Sequence, residues 1–91
     1  MYLHLGQSIV VPHKNILGIF DLDNSSWAFK TREFLERAEQ AGRVVPIGDD
    51  LPRSFVLVDN EGGGPPTVYI SPLSTAALKS RLERGWLDSS S

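Results

Sequence analysis

The sequence of 91 residues contains no cysteine, which excludes disulfide bonds and cysteine-based zinc sites. A chain of this length buries only about 60–68% of the surface that its unfolded state exposes, and no disulfide can reinforce its small core. The sequence also lacks an apolar run near the ~18 residues that cross a bilayer. Its first residues lack the basic start and the apolar stretch of a signal peptide. These absences predict a single cytoplasmic domain without a membrane segment.

The sequence has no excess of basic charge and few groups suited to catalysis. Nine Lys and Arg against eleven Asp and Glu give a net charge of −2, whereas strong electrostatic nucleic-acid binders carry a basic excess. The two histidines, His4 and His13, lack metal-ligand spacing, and no Gly-x-Ser-x-Gly motif occurs. The glycines at residues 62–64 lack the Lys-Ser/Thr of a phosphate-binding loop. We therefore expect no enzyme activity, cofactor, metal site or small-molecule substrate.

Hydrophobic patterning predicts an α+β domain with a small, mostly antiparallel sheet and two helices, in the order β-β-α-β-β-β-α. A capping cluster at residues 23–26 precedes the first helix, and Gly42 provides the left-handed residue that ends it. The second helix is predicted to begin at Ser71-Pro72 and to end at Gly85. The domain covers residues 1–86, and residues 87–91 are predicted to form a disordered tail. The predicted strands are residues 2–11 with a break at Gly6, 16–20, 43–47, 53–59 and 67–70, and the first helix covers about 26–41.

The apolar patterns of two predicted strands indicate that the protein forms an oligomer. Residues 16–20 and 55–58 are apolar on both alternating faces, whereas a sheet with one wet face alternates apolar and polar residues. Two short helices can cover one face of the sheet but hardly both. Phe29 lies roughly 140° from the apolar stripe of the first helix, which would expose it in a monomer. We therefore expect a homo-oligomer that assembles through the sheet, with Phe29 as a contact residue.

Motifs along nearly the whole domain resemble a known bacterial family. They are Met1-Tyr2-Leu3-His4-Leu5-Gly6, Asn15-Ile16-Leu17-Gly18-Ile19-Phe20-Asp21, Pro52-Arg53-Ser54-Phe55-Val56-Leu57 and Tyr69-Ile70-Ser71-Pro72-Leu73-Ser74. Over residues 1–82 the chain is similar to the RemA/RemB family of small extracellular matrix regulators. The resemblance implies a cytoplasmic regulator of biofilm-matrix genes. For the RemA branch it implies a ring-shaped oligomer whose DNA follows a basic surface, without a recognition helix.

The chain departs from that DNA-binding branch at three positions. The branch carries Arg where this chain has Asn15, Asp50 and Leu51, and only Arg53 matches one of its basic residues directly. Asp50 repels phosphate where Arg would bind it, and each lost phosphate contact weakens affinity.

Two hypotheses therefore stay open at this stage. In the first, a homo-oligomer such as a ring contacts DNA backbone phosphates through Lys14, Arg53, Arg81 and Arg84, and salt weakens the binding. In the second, the protein is an interaction module that assembles through its sheet and does not touch DNA. A clustered basic face in the structure would favour the first, whereas the net acidity and Asp50 favour the second.

Overall fold

A computed structural model describes the backbone of residues 2–22 and 28–90, and the side chains of residues 2–22 and 30–84. The fold is α+β, as the sequence predicts, and the predicted strand region over residues 2–11 forms two strands. A short 3₁₀ turn at His13–Asn15 links the second strand to the third. The elements are β1 (Tyr2–Gly6), β2 (Ile9–Pro12), β3 (Ile16–Asp21), α1 (Ala28–Gln40), β4 (Val44–Pro46), β5 (Ser54–Val58), β6 (Thr67–Ser71) and α2 (Thr75–Ser90).

The strands form two separate sheets. β1 and β2 make an antiparallel hairpin, while the other four strands form a sheet in the order β3-β5-β6-β4. The β3–β5 and β5–β6 pairs are antiparallel, and the β4–β6 pair is parallel. The strand that contains Pro46 lies at an edge, because β4 ends the four-stranded sheet. Proline suits an edge strand because it has no N–H to donate to a further strand.

Both faces of the four-stranded sheet are covered by the chain itself. α1 packs on one face, where Ala38, Phe55 and Val68 are buried together. The other face is covered by α2 and the β1–β2 hairpin. The buried residues there are Leu3, Leu5, Val11, Ile47, Val56, Val58 and Leu78. The expectation that two helices cover only one face is therefore wrong, because the helices lie on opposite faces and the hairpin assists α2.

A bulge in β3 explains why this strand looks apolar on both faces. Ile16 lies opposite Val58, but Gly18 lies opposite Leu57, so Leu17 is the additional residue. Residues three apart in a regular strand point to opposite faces, whereas the bulge lets Ile16 and Ile19 pack in the same hydrophobic cluster. Leu17 belongs to neither cluster and is 60% exposed.

The end of α1 confirms the prediction at Gly42. This residue has a φ of 72°, in the left-handed region that glycine adopts without steric cost. The Arg43 N–H donates to the Ala38 carbonyl at 2.9 Å, and the Gly42 N–H donates to the Glu39 carbonyl at 3.0 Å. These two bonds form a Schellman motif, which satisfies carbonyls that the helix end would otherwise leave unpaired.

The start of α2 differs from the prediction. Ser74 caps this helix, since its hydroxyl accepts a hydrogen bond from the Ala77 N–H at 3.1 Å. The predicted start three residues earlier is wrong because Ser71 belongs to β6. The buried Ser71 hydroxyl donates to the Leu5 carbonyl at 2.8 Å and accepts from the Leu73 N–H at 3.1 Å. Ser71 therefore joins the hairpin to the sheet and does not begin the helix.

The end of α2 also differs, because the helix passes Gly85 and continues to Ser90. A glycine inside a helix costs only about 1 kcal/mol relative to alanine, which neighbouring turns can offset. The predicted capping cluster at residues 23–26 lies outside the described residues, and the domain limit at residue 86 stays a prediction. Within the described parts of the chain, no helix is long and apolar enough to cross a membrane.

Candidate functional site

The predicted DNA contacts Lys14 and Arg53 lie at opposite ends of the four-stranded sheet. Lys14 precedes β3, whose first residue is paired with Val58 at the end of β5. Arg53 immediately precedes the first residue of β5. A strand rises about 3.3 Å per residue, so the length of β5 separates the two positions by roughly 16 Å. The structure therefore does not join these two side chains in one compact site.

Acidic residues share the end of the sheet that carries Lys14. The Lys14 Nζ lies 3.7 Å from Glu61 Oε1, and both side chains are largely exposed. The Asp59 N–H donates to the Asn15 carbonyl at 2.6 Å, which places a second acidic residue beside the turn. An exposed ion pair of this kind contributes at most about 1 kcal/mol. Lys14 can therefore leave Glu61 for an anion such as phosphate. The negative charges of Glu61 and Asp59, however, make this end of the sheet less attractive to an anion.

The backbone of Arg53 is hydrogen-bonded through both its N–H and its carbonyl. Its N–H donates to the Ser71 carbonyl at 2.9 Å, and its carbonyl accepts from the Leu22 N–H at 3.0 Å. The residue is exposed at the end of the sheet where β5 begins. Asp21, paired with Ser54 in the β3–β5 ladder, lies at the same end.

Arg81 and Arg84 lie on α2, and they are the two of the four predicted residues that the fold brings together. Positions three apart share one side of a helix. Arg84 is exposed, whereas Arg81 is partly buried and its Nη1 donates to the His4 carbonyl at 3.2 Å. His4 in turn contacts the Gln7 carbonyl through its ring Nε2. Arg81 therefore fastens α2 to the hairpin, a role that the sequence pattern did not indicate.

An open apolar cavity of about 310 Å³ lies beside α1 and was not foreseen from the sequence. α1 packs mainly over β4 and β6, so the β3 side of this face is less covered. Phe20 and Phe55 stack with ring centroids 5.0 Å apart, and Phe34 lies 6.3 Å from Phe55. Lys30 and Leu57 are also part of the cavity wall. The three aromatic residues are far apart in the sequence, so no local signal could reveal their meeting.

Two other predictions concern residues or sites that the structure describes only in part. The side chain of Phe29 lies outside the described residues, and its role as an oligomer contact stays a prediction. Among the residues that the structure does describe, no three His, Asp or Glu side chains come together in a group that could hold a metal ion.

The extent of similarity to a known protein decides the family. No protein-family model matches the chain. The chain is 36% identical over 83 residues to extracellular matrix regulatory protein B of Bacillus subtilis (strain 168), and the match covers 91% of each protein. The chain belongs to the family of this regulatory protein. The assignment to the RemA/RemB family from sequence motifs is therefore confirmed.

The three positions at which the family resemblance implies Arg in the DNA-binding branch are also divided between the two ends of the sheet. Asn15 lies at the end that carries Lys14, where its carbonyl accepts from Asp59. Asp50 and Leu51 lie in the loop between β4 and β5, just before Arg53, and both are exposed. A single copy therefore presents these positions as two separate groups.

Proposed function

We propose that this protein regulates the production of extracellular matrix in its bacterium. The observation that supports this most is the 36% identity to extracellular matrix regulatory protein B over 91% of both proteins. Because the match spans nearly the full length of each, the shared domain accounts for almost all of the relative. The relative is named as a regulatory protein, which supports a regulatory role and not a catalytic one.

The mode of action that we propose is a homo-oligomer that contacts DNA backbone phosphates in the cytoplasm. In one copy the basic residues form separate groups, with Lys14 and Arg53 about the length of β5 apart. Each group offers one or two phosphate contacts, which is too few for firm binding at moderate salt. Repetition of the groups around an assembly multiplies weak contacts through avidity. DNA binding should therefore depend on assembly.

A second candidate is an interaction module of the same family that assembles without direct DNA contact. Specific observations favour it: Lys14 pairs with Glu61, and Arg81 is engaged with the His4 carbonyl. Asp50 stands where the DNA-binding branch has Arg, and the whole chain carries a net charge of −2. The four predicted residues do not form a basic face within one copy. Such a face would have favoured DNA binding.

The regulatory role can be tested by complementation. The chain would be expressed in a Bacillus subtilis strain that lacks extracellular matrix regulatory protein B, and matrix production would be measured. We expect matrix to be restored, whereas Val56→Asp should fail because it places a charge at a fully buried position in the central strand. Absence of restoration by the wild-type chain at normal protein levels would contradict the proposed function.

DNA contact can be tested by measuring affinities for two unrelated duplexes at two salt concentrations. We expect Lys14→Glu and Arg53→Glu to weaken binding to both duplexes by similar factors, because phosphate contacts carry no sequence information. Asp50→Arg should strengthen it. Lys30→Glu, the same charge change on α1 outside the predicted set, is the matched control and should have a smaller effect. Undetectable binding at low salt, with no gain from Asp50→Arg, would favour the second candidate.

A further inference from the structure

The open apolar cavity beside α1 has aromatic walls whose positions are fixed by the fold. Phe20 on β3 and Phe55 on β5 are cross-strand partners, and their rings stack 5.0 Å apart. The Phe20 ring lies over the backbone of Gly18, where an added Cβ would come within 2.6 Å of it. Phe34 on α1 has its ring centroid 6.3 Å from that of Phe55. Side chains held in this way lose little further freedom when a ligand binds.

The size and the walls of the cavity suit a small organic molecule. Its volume of about 310 Å³ is near the lower end of the roughly 300–1,000 Å³ that small-molecule sites occupy. Such a space accommodates one ring with a short chain. The three phenylalanines and Leu57 offer no hydrogen bonds to water, whereas an aromatic ring can pack on them face to face or edge to face. The body of the ligand should therefore be aromatic.

Polar groups enter the wall from one side, which is the first turn of α1. Among the residues that the structure describes, Lys30 and Thr31 are the polar members of the wall, and Lys30 is exposed. An ammonium attracts an anion, and a hydroxyl can donate a hydrogen bond to one. Glu33, the first acidic residue of α1, is already paired with Arg37 at 2.8 Å. Lys30 can therefore face an anionic group of a ligand.

Acidic residues nearby limit the negative charge that such a ligand can carry. Asp21, Glu36 and Glu39 line a neighbouring cavity. Arg32 is the basic residue of the same wall. The three carboxylates repel a phosphate, which carries more than one charge, more strongly than they repel a single carboxylate. One ammonium at the mouth balances one negative charge, so a monocarboxylate fits the site better than a polyanion.

We propose that this cavity binds a small arylalkanoate, which is a carboxylate with one aromatic ring on a short chain. The ring lies against Phe20, Phe34 and Phe55, and the carboxylate faces Lys30 and Thr31. None of the four predicted DNA contacts belongs to the described wall, so the site goes beyond the proposed function and does not rest on it. A ligand of this size should bind with a Kd on the order of 1 mM.

The proposal can be tested with three probes that share one apolar body. Phenylpropionate, phenylpropanol and phenylpropylamine are negative, neutral and positive, respectively, near neutral pH. The full chain would be titrated with each probe while NMR follows the ring signals of Phe20, Phe34 and Phe55. We expect phenylpropionate to shift these signals and to bind about fivefold more tightly than phenylpropanol, because an exposed ion pair contributes modestly. Phenylpropylamine should bind most weakly, since Lys30 repels it.

A matched pair of variants separates the charge from the apolar walls. Lys30→Gln removes the ammonium at the mouth, whereas Lys79→Gln removes the same charge from an exposed residue of α2, on the opposite face of the sheet. We expect Lys30→Gln to weaken phenylpropionate binding about fivefold and to leave phenylpropanol binding unchanged. Lys79→Gln should change neither.

A third variant tests the cavity itself. Thr31→Phe places a ring in the space that the ligand would occupy, so the shifts caused by phenylpropionate and by phenylpropanol should both be lost. Thr31 is half-buried on α1 and belongs to neither hydrophobic cluster, so the thermal unfolding midpoint should be kept.

Four results would overturn the proposal. Equal Kd values for the three probes, or equal effects of Lys30→Gln and Lys79→Gln, would exclude the carboxylate contact. Absence of ring shifts at several times the expected Kd would exclude the site. Ring shifts that follow the protein concentration but not a probe would show that a second copy covers the cavity instead. All of these measurements use the purified chain, so failure of the site and failure of matrix complementation are distinguishable.

Discussion

The two edges of the four-stranded sheet differ in length, composition and accessibility. β4 has three residues and ends at Pro46, which has no N–H to donate to another strand. Just before β4, the Arg43 Nη1 donates to the Pro66 carbonyl at 2.9 Å. This bond joins the start of β4 to the residue that precedes β6. β3 has six residues and an uncharged apolar sequence up to Asp21. A sheet with one protected and one unprotected edge can form pairs, but it cannot extend indefinitely by edge addition.

The largest expected effect links the β3 edge to DNA binding. Leu17→Lys adds positive charge, which by itself would strengthen attraction to phosphate. If DNA binding needs the assembly, the loss of avidity should outweigh this gain and lower the affinity by about a hundredfold. The measurement is a titration of a duplex at low salt with wild type, Leu17→Lys and Val10→Lys, which adds the same charge at a residue that is 51% exposed in the hairpin. Stronger binding by Leu17→Lys than by Val10→Lys would show that single copies bind DNA.

A smaller effect is expected from two glycines, one near each edge. A Cβ added at Gly18 would lie 2.6 Å from Cε2 of Phe20, so Gly18→Ala must displace a ring that stacks on Phe55. We expect a loss of about 2 kcal/mol in unfolding free energy, together with altered aromatic NMR signals of Phe20. Gly42→Ala meets no atom within 4 Å but has a φ of 72°, so it should cost about 1 kcal/mol and leave Phe20 unchanged. Equal spectra for wild type and Gly18→Ala would contradict the observed ring position.

The protected edge can be weakened through Arg43. Arg43→Ala removes the hydrogen bond to the Pro66 carbonyl and should lower the unfolding free energy by about 1.5 kcal/mol. Arg37→Ala is the matched control, because Arg37 forms an exposed ion pair with Glu33 at 2.8 Å and should contribute less than about 0.5 kcal/mol. Urea unfolding of the two variants measures the difference. Similar losses in both would show that Arg43 does not stabilise this edge.

The smallest effect is expected in the loop that joins β5 to β6. Gly63 and Gly64 have φ values of 88° and 90°, and an added Cβ at either would meet no atom within 4 Å. Removal of both residues should therefore change the unfolding free energy by about 0.6 kcal/mol or less, since closure entropy varies slowly with loop length. A thermal melt of the shortened protein tests this, and loss of folding would reveal a role for the loop in assembly or packing.

Local sequence signals predicted the parts of the fold that depend on local physics. Gly42 ends α1 as expected because only the backbone of that turn decides the conformation. The strand that contains Pro46 lies at an edge because proline lacks a donor. The last two strands were placed by their apolar patterns, and they pair with each other across the glycine-rich loop.

Features that depend on distant residues were missed. Ser71 has the local character of a helix start, but its hydroxyl bonds to the Leu5 carbonyl, 66 residues away in the chain. The same long-range contact places the hairpin against the sheet, which the apolar pattern of β5 alone did not reveal. For the candidate site, the pattern identified the basic residues but not their separation, because the length of β5 sets the distance between Lys14 and Arg53.

Amide hydrogen exchange at low and high protein concentration tests most directly the claim that the two edges differ. If β3 pairs with a second copy, the amides of residues 16–19 that exchange fastest in the monomer should become protected as concentration rises. The amides of Val44 and Val45 on β4 should show no such change. Protection that is independent of concentration at residues 16–19, or that rises equally on both edges, would contradict the account.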